Sequence, residues 1–395
     1  MSNVTNRRRF VSRAAATASV LPLLPQASGA TVPKSSVYER IGVKPLINGM
    51  GTVTAVGGSN MPREVLQAMD DAAQFFVDVP ELQRKVGQRI AELLKIPAAM
   101  VTAGAASSIA VATAACIARG DRERYAALPN TGGMPNEVIL QKSHLSGYES
   151  QMTTMGAKLV WVDTQVELEA AIGPRTAMMF YLNKAGGAIG RAEWVRIAKA
   201  RGIPSLNDAA ADVPPVSRLS SIVNEGFDLV AFSGGKAMRG PQCSGLLLGR
   251  EDLIEAGYPA ISPAGGPGRA MKVGKEEIIG LLVAVERFLK LDHEAEFRGF
   301  DAKVAEMIKG LAPLPAGVKA ERDIPAIANE VPHLKVTWDE KELGKTSRDV
   351  VKTLREGTPS IAILGQGPGH ILVSVLMLQG AEHTVVARRL REVLA

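Results

Sequence analysis

The sequence predicts an α/β protein: a large domain built on a mostly parallel seven-stranded sheet, followed by a smaller α+β C-terminal domain. Three observations carry that expectation. Short apolar runs bounded by turn residues alternate with amphipathic stretches along residues 98–249, the pattern of a parallel sheet covered on both faces. A chain of 395 residues, 46% hydrophobic and 4% aromatic, is long enough to bury the cores of two lobes. The segment "ISPAGGPGRAMKVGK" (261–275), dense in Pro and Gly, then interrupts the alternation.

The expected strands are "AAMVT" (98–102), "NEVIL" (136–140), "KLVWVD" (158–163), "TAMMFYL" (176–182), "PSLN" (204–207), "DLVAF" (228–232) and "SGLLLG" (244–249). Each is short and continuous, as a strand buried on both faces must be. A turn rather than a helix separates the last two, so "SGLLLG" is expected to run antiparallel. Helical patterns fill most other gaps, as in "GAASSIAVATAACIARG" and "AEWVRIAKARG", the latter closed by basic residues and Gly202. A long helix is expected over about Lys275 to Leu291. The resulting organisation is a leader at 1–30, a segment at 31–55 packing on the small domain, a large domain at 56–265 and a small domain at 266–395. Neither internal repeats nor heptads interrupt it.

The leader explains the charge. The formal net charge is +6, but Arg7, Arg8, Arg9 and Arg13 precede residue 31 with no acid among them, and removing these four leaves +2. That balance gives no reason to expect nucleic acid as a partner. "NRRRFVSRAAATASVLPLLPQASGA" has a basic start, an apolar stretch from Ala14 to Leu24 too short to span a membrane, and small residues at Ser28 to Ala30. Arg7 and Arg8, followed by Phe10, resemble a twin-arginine export signal. A periplasmic protein exported folded by that machinery, with no membrane attachment after cleavage, is the expectation. Cys116 and Cys243 are the only cysteines; two are no disulfide framework, though a single bond between them is open.

Sites in open parallel sheets gather at the carboxyl ends of strands, and three features fall there. "VTAGAASSIAV" carries a strand through Gly104 directly into a helix. The amides of Gly104, Ala105 and Ala106, with Ser107, would face outward at its positive end, a cradle for phosphate. Small residues that let a helix pack closely on a sheet are the plainer reading of that stretch alone. "IPSLNDAAADVPP" delivers Asp208 to a strand end, where a buried carboxylate needs a cationic partner; a helix cap or solvated loop acid is the commoner case. "DLVAFSGGKAMRGPQCSGLLLG" holds Lys236 inside a glycine-lined turn beside Ser233, where burial would lower its pKa. One ligand accounts for all three, pyridoxal 5′-phosphate: its phosphate needs amides and hydroxyls, its ring nitrogen a carboxylate, its aldehyde a lysine.

The order G-A-A-S-S, N-D-A-A-A-D, F-S-G-G-K-A-M-R-G-P-Q resembles fold-type I pyridoxal-phosphate enzymes. Within them it resembles the bacterial selenocysteine synthase group and its shorter relatives, the D-glucosaminate-6-phosphate ammonia-lyase-like proteins. "PLINGMGTVTAVGGSNMPREVLQAM", "FVDVPELQRKVGQRIAELL" and "GRAMKVGKEEIIGLLVAVERF" resemble the short relatives too, so the likeness spans roughly residues 38–300. The resemblance implies that Lys236 is the lysine that bonds the cofactor and acts in catalysis. It implies that Asp208 is the ring-nitrogen partner, that Ser233 is a phosphate ligand, and that Gly104, Ala105, Ala106 and Ser107 form the phosphate loop. It further implies a cofactor-stacking ring at His144, a contact from Asn183 to the phenolic oxygen, and a homodimer or larger homo-oligomer; Arg269 and Lys272 are candidates to hold substrate anions, with solvated basic residues at a lobe boundary the simpler reading. The activity implied is a lyase acting on an amino acid or amino sugar acid. A transferase (β-replacement or transamination) and a cofactor-binding protein without turnover are the alternatives. Two departures stand out. The pattern begins soon after the leader, without the tRNA-binding region of selenocysteine synthase, and Leu364 stands where the family usually has a carboxylate-binding arginine.

Overall fold

The computed structural model describes residues 36–183, 186–326 and 328–395; the leader with its twin-arginine motif lies outside the described residues. A two-residue strand, β1 (Ile47–Asn48), precedes the seven strands of the central sheet. These are β2 (Ala98–Thr102), β3 (Glu137–Gln141), β4 (Lys158–Val162), β5 (Thr176–Leu182), β6 (Ser205–Asp208), β7 (Leu229–Ser233) and β8 (Gly245–Gly249). Their spatial order is β2-β8-β7-β6-β5-β3-β4. The β3–β4, β3–β5, β5–β6 and β6–β7 pairs are parallel, and β8 runs antiparallel to both β2 and β7. The seven expected apolar runs are these seven strands, shifted by a residue or so at their ends.

Both faces of the sheet are covered, which is why its strands read as continuous apolar runs rather than alternating ones. One face packs on the helix Ala105–Ala118, whose small residues Ala110, Ala112 and Ala114 are fully enclosed against Leu140, Met178 and Leu247. The other face packs on helices that contribute Ile90, Trp194 and Leu219. The expected long helix is present as Lys275–Lys290. Its Ile278, Leu281, Val285 and Phe288, together with Val273, join this second face. Ile47 apart, the buried residues of the C-terminal core begin at Val304, so packing divides the chain further along than the Pro/Gly-rich segment suggests.

The C-terminal sheet comprises β9 (Lys319–Asp323), β10 (His333–Thr337), β12 (Leu364–Gly367) and β13 (His370–Ser374), ordered β12-β13-β10-β9 and antiparallel. Between them, β11 (Ile361–Ala362) pairs in parallel with β1, and Ile47 is buried within this C-terminal core. Backbone bonds still hold Gly49 to Ala362 and Ser374 of this lobe, and by Ser59 the polypeptide has reached Gly235 of the large domain. Cys116 is buried and Cys243 exposed, and both are free thiols, so the disulfide left open by the sequence is not formed.

Candidate active site

Gly245 is the joint on which the site is built. In register it pairs with Thr102 of β2 on one side and Ser233 of β7 on the other. A Cβ at Gly245 would lie 2.4 Å from the Gly104 carbonyl carbon and 2.8 Å from the Ala105 nitrogen, so only glycine lets the loop after β2 close onto the sheet. Gly104 holds φ +139°, a backbone conformation that L side chains rarely adopt. Thr102 Oγ1 fixes the loop from below, 3.0 Å from Gly104 O and 2.8 Å from Ser108 Oγ, while Ser108 donates to Leu246 O at 3.2 Å.

The first backbone bond of the helix is Ser108 N to Gly104 O, so the amides of Ala105, Ala106 and Ser107 have no acceptor within the helix. The Ser107 hydroxyl is buried and also lacks a hydrogen-bond partner. A buried hydroxyl left so costs roughly 1–3 kcal/mol. Three outward amides and an orphaned hydroxyl at the positive end of a helix suit a phosphate-type oxyanion. Ser233, across Gly245, is partly exposed at the end of β7.

Lys236 follows in a turn that closes on itself: Gly240 N donates to Gly234 O, Arg239 N to Lys236 O, and Gly234 N to Ser244 O. The chain after β1 lies over this turn. Ser59 Oγ donates to Gly235 O at 2.9 Å, and the Gln242 amide nitrogen reaches Gly57 O at 3.0 Å and Gly235 O at 3.2 Å. The Gly-Pro-Gln tail thus ties the two segments together. Burial lowers the pKa of the Lys236 ammonium, against the opposing pull of Asp208 and Asp212.

Asp208 ends β6, with Leu182 of β5 and Ala231 of β7 as its cross-strand neighbours. It is only 4% exposed, and one carboxylate oxygen accepts the Ala210 amide at 3.1 Å. No cation stands within 4.0 Å of it among the described residues. Burial pushes its pKa up to about 6, against the lowering effect of that amide and of Lys236; the charges of Asp212 and Glu149 add to the rise.

A second acid of the stretch "IPSLNDAAADVPP", Asp212, joins the site without any local signal of its own. Asp212 is buried, and it accepts the Asn183 amide at 2.9 Å and the Ala328 backbone amide at 3.1 Å. Its pKa is raised by burial, against these hydrogen bonds and the charges of Arg218 and Lys236. Around it the two lobes clasp. Asn329 donates to Ala211 O and accepts from Thr52, and Arg218 bridges Asp212 O and the Glu330 carboxylate. Nothing in the local sequence announces these contacts, because each joins segments far apart in the chain.

The remaining expected residues fall as follows. Asn183 sits between Asn207, which donates to its Oδ1 at 3.0 Å, and Asp212. His144 is fully buried, edge-on to the Tyr181 ring at 4.6 Å, with Nδ1 receiving the Leu182 amide at 3.3 Å. Arg269 and Lys272 are exposed, in the turn and loop before the helix Lys275–Lys290, and take no part in the network around Asp208. Leu364 opens β12 opposite Leu372, an apolar position in the strand pairing. A separate cavity of about 480 Å³, lined by Pro129 to Asn136 with Pro174 and Arg175, lies at the amino ends of β3 and β5, away from these groups.

An antiparallel strand inserted beside the edge of an otherwise parallel sheet, a glycine-entered helix, a buried acid at one strand end and a lysine turn at the next define a fold-type I pyridoxal-phosphate enzyme. The chain belongs to the family of D-glucosaminate-6-phosphate ammonia lyase and the selenocysteine-synthase-like proteins. It is 31% identical over 378 residues to the D-glucosaminate-6-phosphate ammonia lyase of Salmonella typhimurium, covering 91% of this chain and 98% of that one. It is 32% identical over 389 residues to a 5′-C-glycyluridine monooxygenase-decarboxylase from Streptomyces, covering 94% and 95%. The likeness to the L-seryl-tRNA(Sec) selenium transferase of Moorella thermoacetica is 27% over 164 residues, 36% of this chain and a third of that one. A solved structure of D-glucosaminate-6-phosphate ammonia-lyase superposes with a TM-score of 0.79 at 29% identity, over 91% of this chain and 98% of the other. No family model matches the chain.

Proposed function

We propose that this chain holds pyridoxal 5′-phosphate and releases ammonia from an amino acid or amino sugar acid by elimination. The observation that carries the reading is Asp208, buried and with no cation in contact among the described residues, one strand from a lysine whose pKa burial has lowered. The amides of Ala105, Ala106 and Ser107 and the orphaned Ser107 hydroxyl would hold the phosphate, Asp208 the ring nitrogen, and Lys236 the aldehyde. When bound, the cofactor supplies an electron sink for negative charge at the substrate α-carbon.

The protein's own groups divide the remaining work. Asp208 would hold a proton on the cofactor's ring nitrogen, and its burial would strengthen such a hydrogen bond. Lys236 Nζ, whose pKa burial lowers, would take the proton from the α-carbon. Asn183, held by Asn207 and Asp212, presents its remaining amide hydrogen at a fixed orientation. The clasp between Asp212 and Ala328 holds the C-terminal lobe over the site. The substrate would carry an amine and a carboxylate, and the ammonia-lyase activity on D-glucosaminate 6-phosphate for which the Salmonella relative is named points to an amino sugar acid.

Incubation of the cofactor-saturated protein with amino acids and amino sugar acids tests this. Ammonia and a keto acid should appear in equal amounts without a second substrate, and not with Lys236→Ala. A requirement for a second substrate would replace the lyase with a transferase. Folded export to the periplasm is part of the proposal, supported by Arg7, Arg8 and Phe10. So is self-association, supported by the exposed Phe75, Phe76 and Leu66.

A further inference from the structure

On the flank of the lysine turn lies a second cavity, of about 330 Å³, near the lower end of the roughly 300–1,000 Å³ range of small-molecule sites. None of Ser107, Asn183, Asp208 or Lys236 lines it. Its wall instead carries Arg239, Arg287 and Lys303, contributed by the lysine turn and by the helices Lys275–Lys290 and His293–Leu311. The apolar side chains of Phe288, Phe300 and Leu376 complete it.

The charges in this cavity do not balance. Neither arginine makes an ion pair among the described residues. Arg239 spends its Nε on the Asn60 carbonyl at 2.7 Å, and Lys303 donates to Leu378 O at 2.7 Å. Arg287 has no hydrogen-bond partner among the described residues. The one carboxylate in the lining, Glu296, lies 3.8 Å from His293 instead. Burial lowers the Arg239 pKa, the charge of Arg287 lowers it further, and Glu296 and Glu64 oppose this only from beyond contact. Arg239 is also held at φ +58°, a conformation unusual for any residue but glycine. Two guanidinium groups that repel each other across a pocket, with most of their donors unspent, are the arrangement an oxyanion would resolve.

We propose that this cavity binds a phosphate-type dianion, held by Arg239 and Arg287 with support from the Lys303 charge. The ligand is either inorganic phosphate or the phosphate group of a small metabolite. The site goes beyond the cofactor reading and does not depend on it, since it shares no residue with the Ser107 loop.

The test is calorimetric titration of cofactor-saturated protein, at constant ionic strength, with inorganic phosphate and separately with glucose 6-phosphate. A saturable site is expected, weakened at least ten-fold by Arg287→Gln and only a few-fold by Arg287→Lys. Any binding at the Ser107 loop is common to all three proteins and drops out of the comparison. Tighter binding of inorganic phosphate would assign the free ion, and tighter binding of the ester a phosphorylated metabolite; either result supports the site. Arg287→Glu provides the folding control. It should abolish binding yet melt no lower than the unsubstituted protein in phosphate-free buffer, because it converts a repulsion into a pair. Absence of saturable binding by both probes, undiminished binding by Arg287→Gln, or a much lower melting point for Arg287→Glu would each overturn the proposal.

Discussion

Replacing Asp208 by asparagine should stabilise the cofactor-free protein while disabling it. Burial raises the Asp208 pKa to about 6 from an ordinary 3.8. Between those values the folded protein keeps a proton that the unfolded chain has released, so stability falls as the pH climbs from about 4 to 6 and stays low above it. At about 1.4 kcal/mol per pH unit, the gap corresponds to about 3 kcal/mol. Asparagine removes this penalty, has nearly the same shape, and can still accept the Ala210 amide. Part of the gain is lost because Lys236 keeps only the Asp212 carboxylate, so a net stabilisation of ~1–3 kcal/mol is expected at pH 8. Urea unfolding of both proteins, stripped of cofactor, at pH 4, 6 and 8 measures it. The difference should grow between pH 4 and 6 and then level off. A difference independent of pH, or an asparagine variant less stable at pH 8, would show that Asp208 is not a desolvated, unpaired acid.

With cofactor present the same substitution should lower the rate of α-proton removal by ~10²–10⁴-fold, the scale for losing one acid–base or electrostatic partner in the transition state. Lys236→Ala should leave residue 236 unlabelled when protein incubated with pyridoxal 5′-phosphate is reduced with borohydride and mapped by peptide mass. Ser107→Ala removes a hydroxyl that has no partner among the described residues, so stability should hold or rise slightly. Pyridoxal 5′-phosphate should bind roughly 10-fold more weakly, about 1.4 kcal/mol, as seen by fluorescence titration. Arg7→Lys with Arg8→Lys should leave the precursor folded and cytoplasmic, which fractionation and immunoblotting would detect.

The sheet was legible because its strands are buried on both faces, and continuous apolar runs such as "TAMMFYL" and "DLVAF" are what such strands require. Asp208, Ser107 and Lys236 were legible for a related reason: each sits where an apolar run meets small residues, and strand ends are where such sheets place chemistry. What the sequence hid is long-range. Asp212 looks like any loop acid until Asn183 and Ala328 arrive from other segments. The Tyr181 ring and the Leu182 amide that orient His144 also come from another strand, contacts no local pattern reveals. The helix Lys275–Lys290 followed a Pro/Gly-rich break but packs with the large sheet, because its Leu281 and Val285 face that core. Arg239 and Arg287 are 48 positions apart in the sequence, and only the fold brings them to one cavity.

Solvent-deuterium exchange at the α-carbon of amino acids and amino sugar acids tests the central claim most directly, because it reads proton abstraction whatever leaves afterwards. Cofactor-saturated protein should exchange the α-hydrogen of at least one amino sugar acid, Asp208→Asn far more slowly, and Lys236→Ala not at all. Exchange at the same rate in all three proteins would place the chemistry elsewhere. Its absence from the unsubstituted protein across the panel would contradict the assignment of Lys236 as the base.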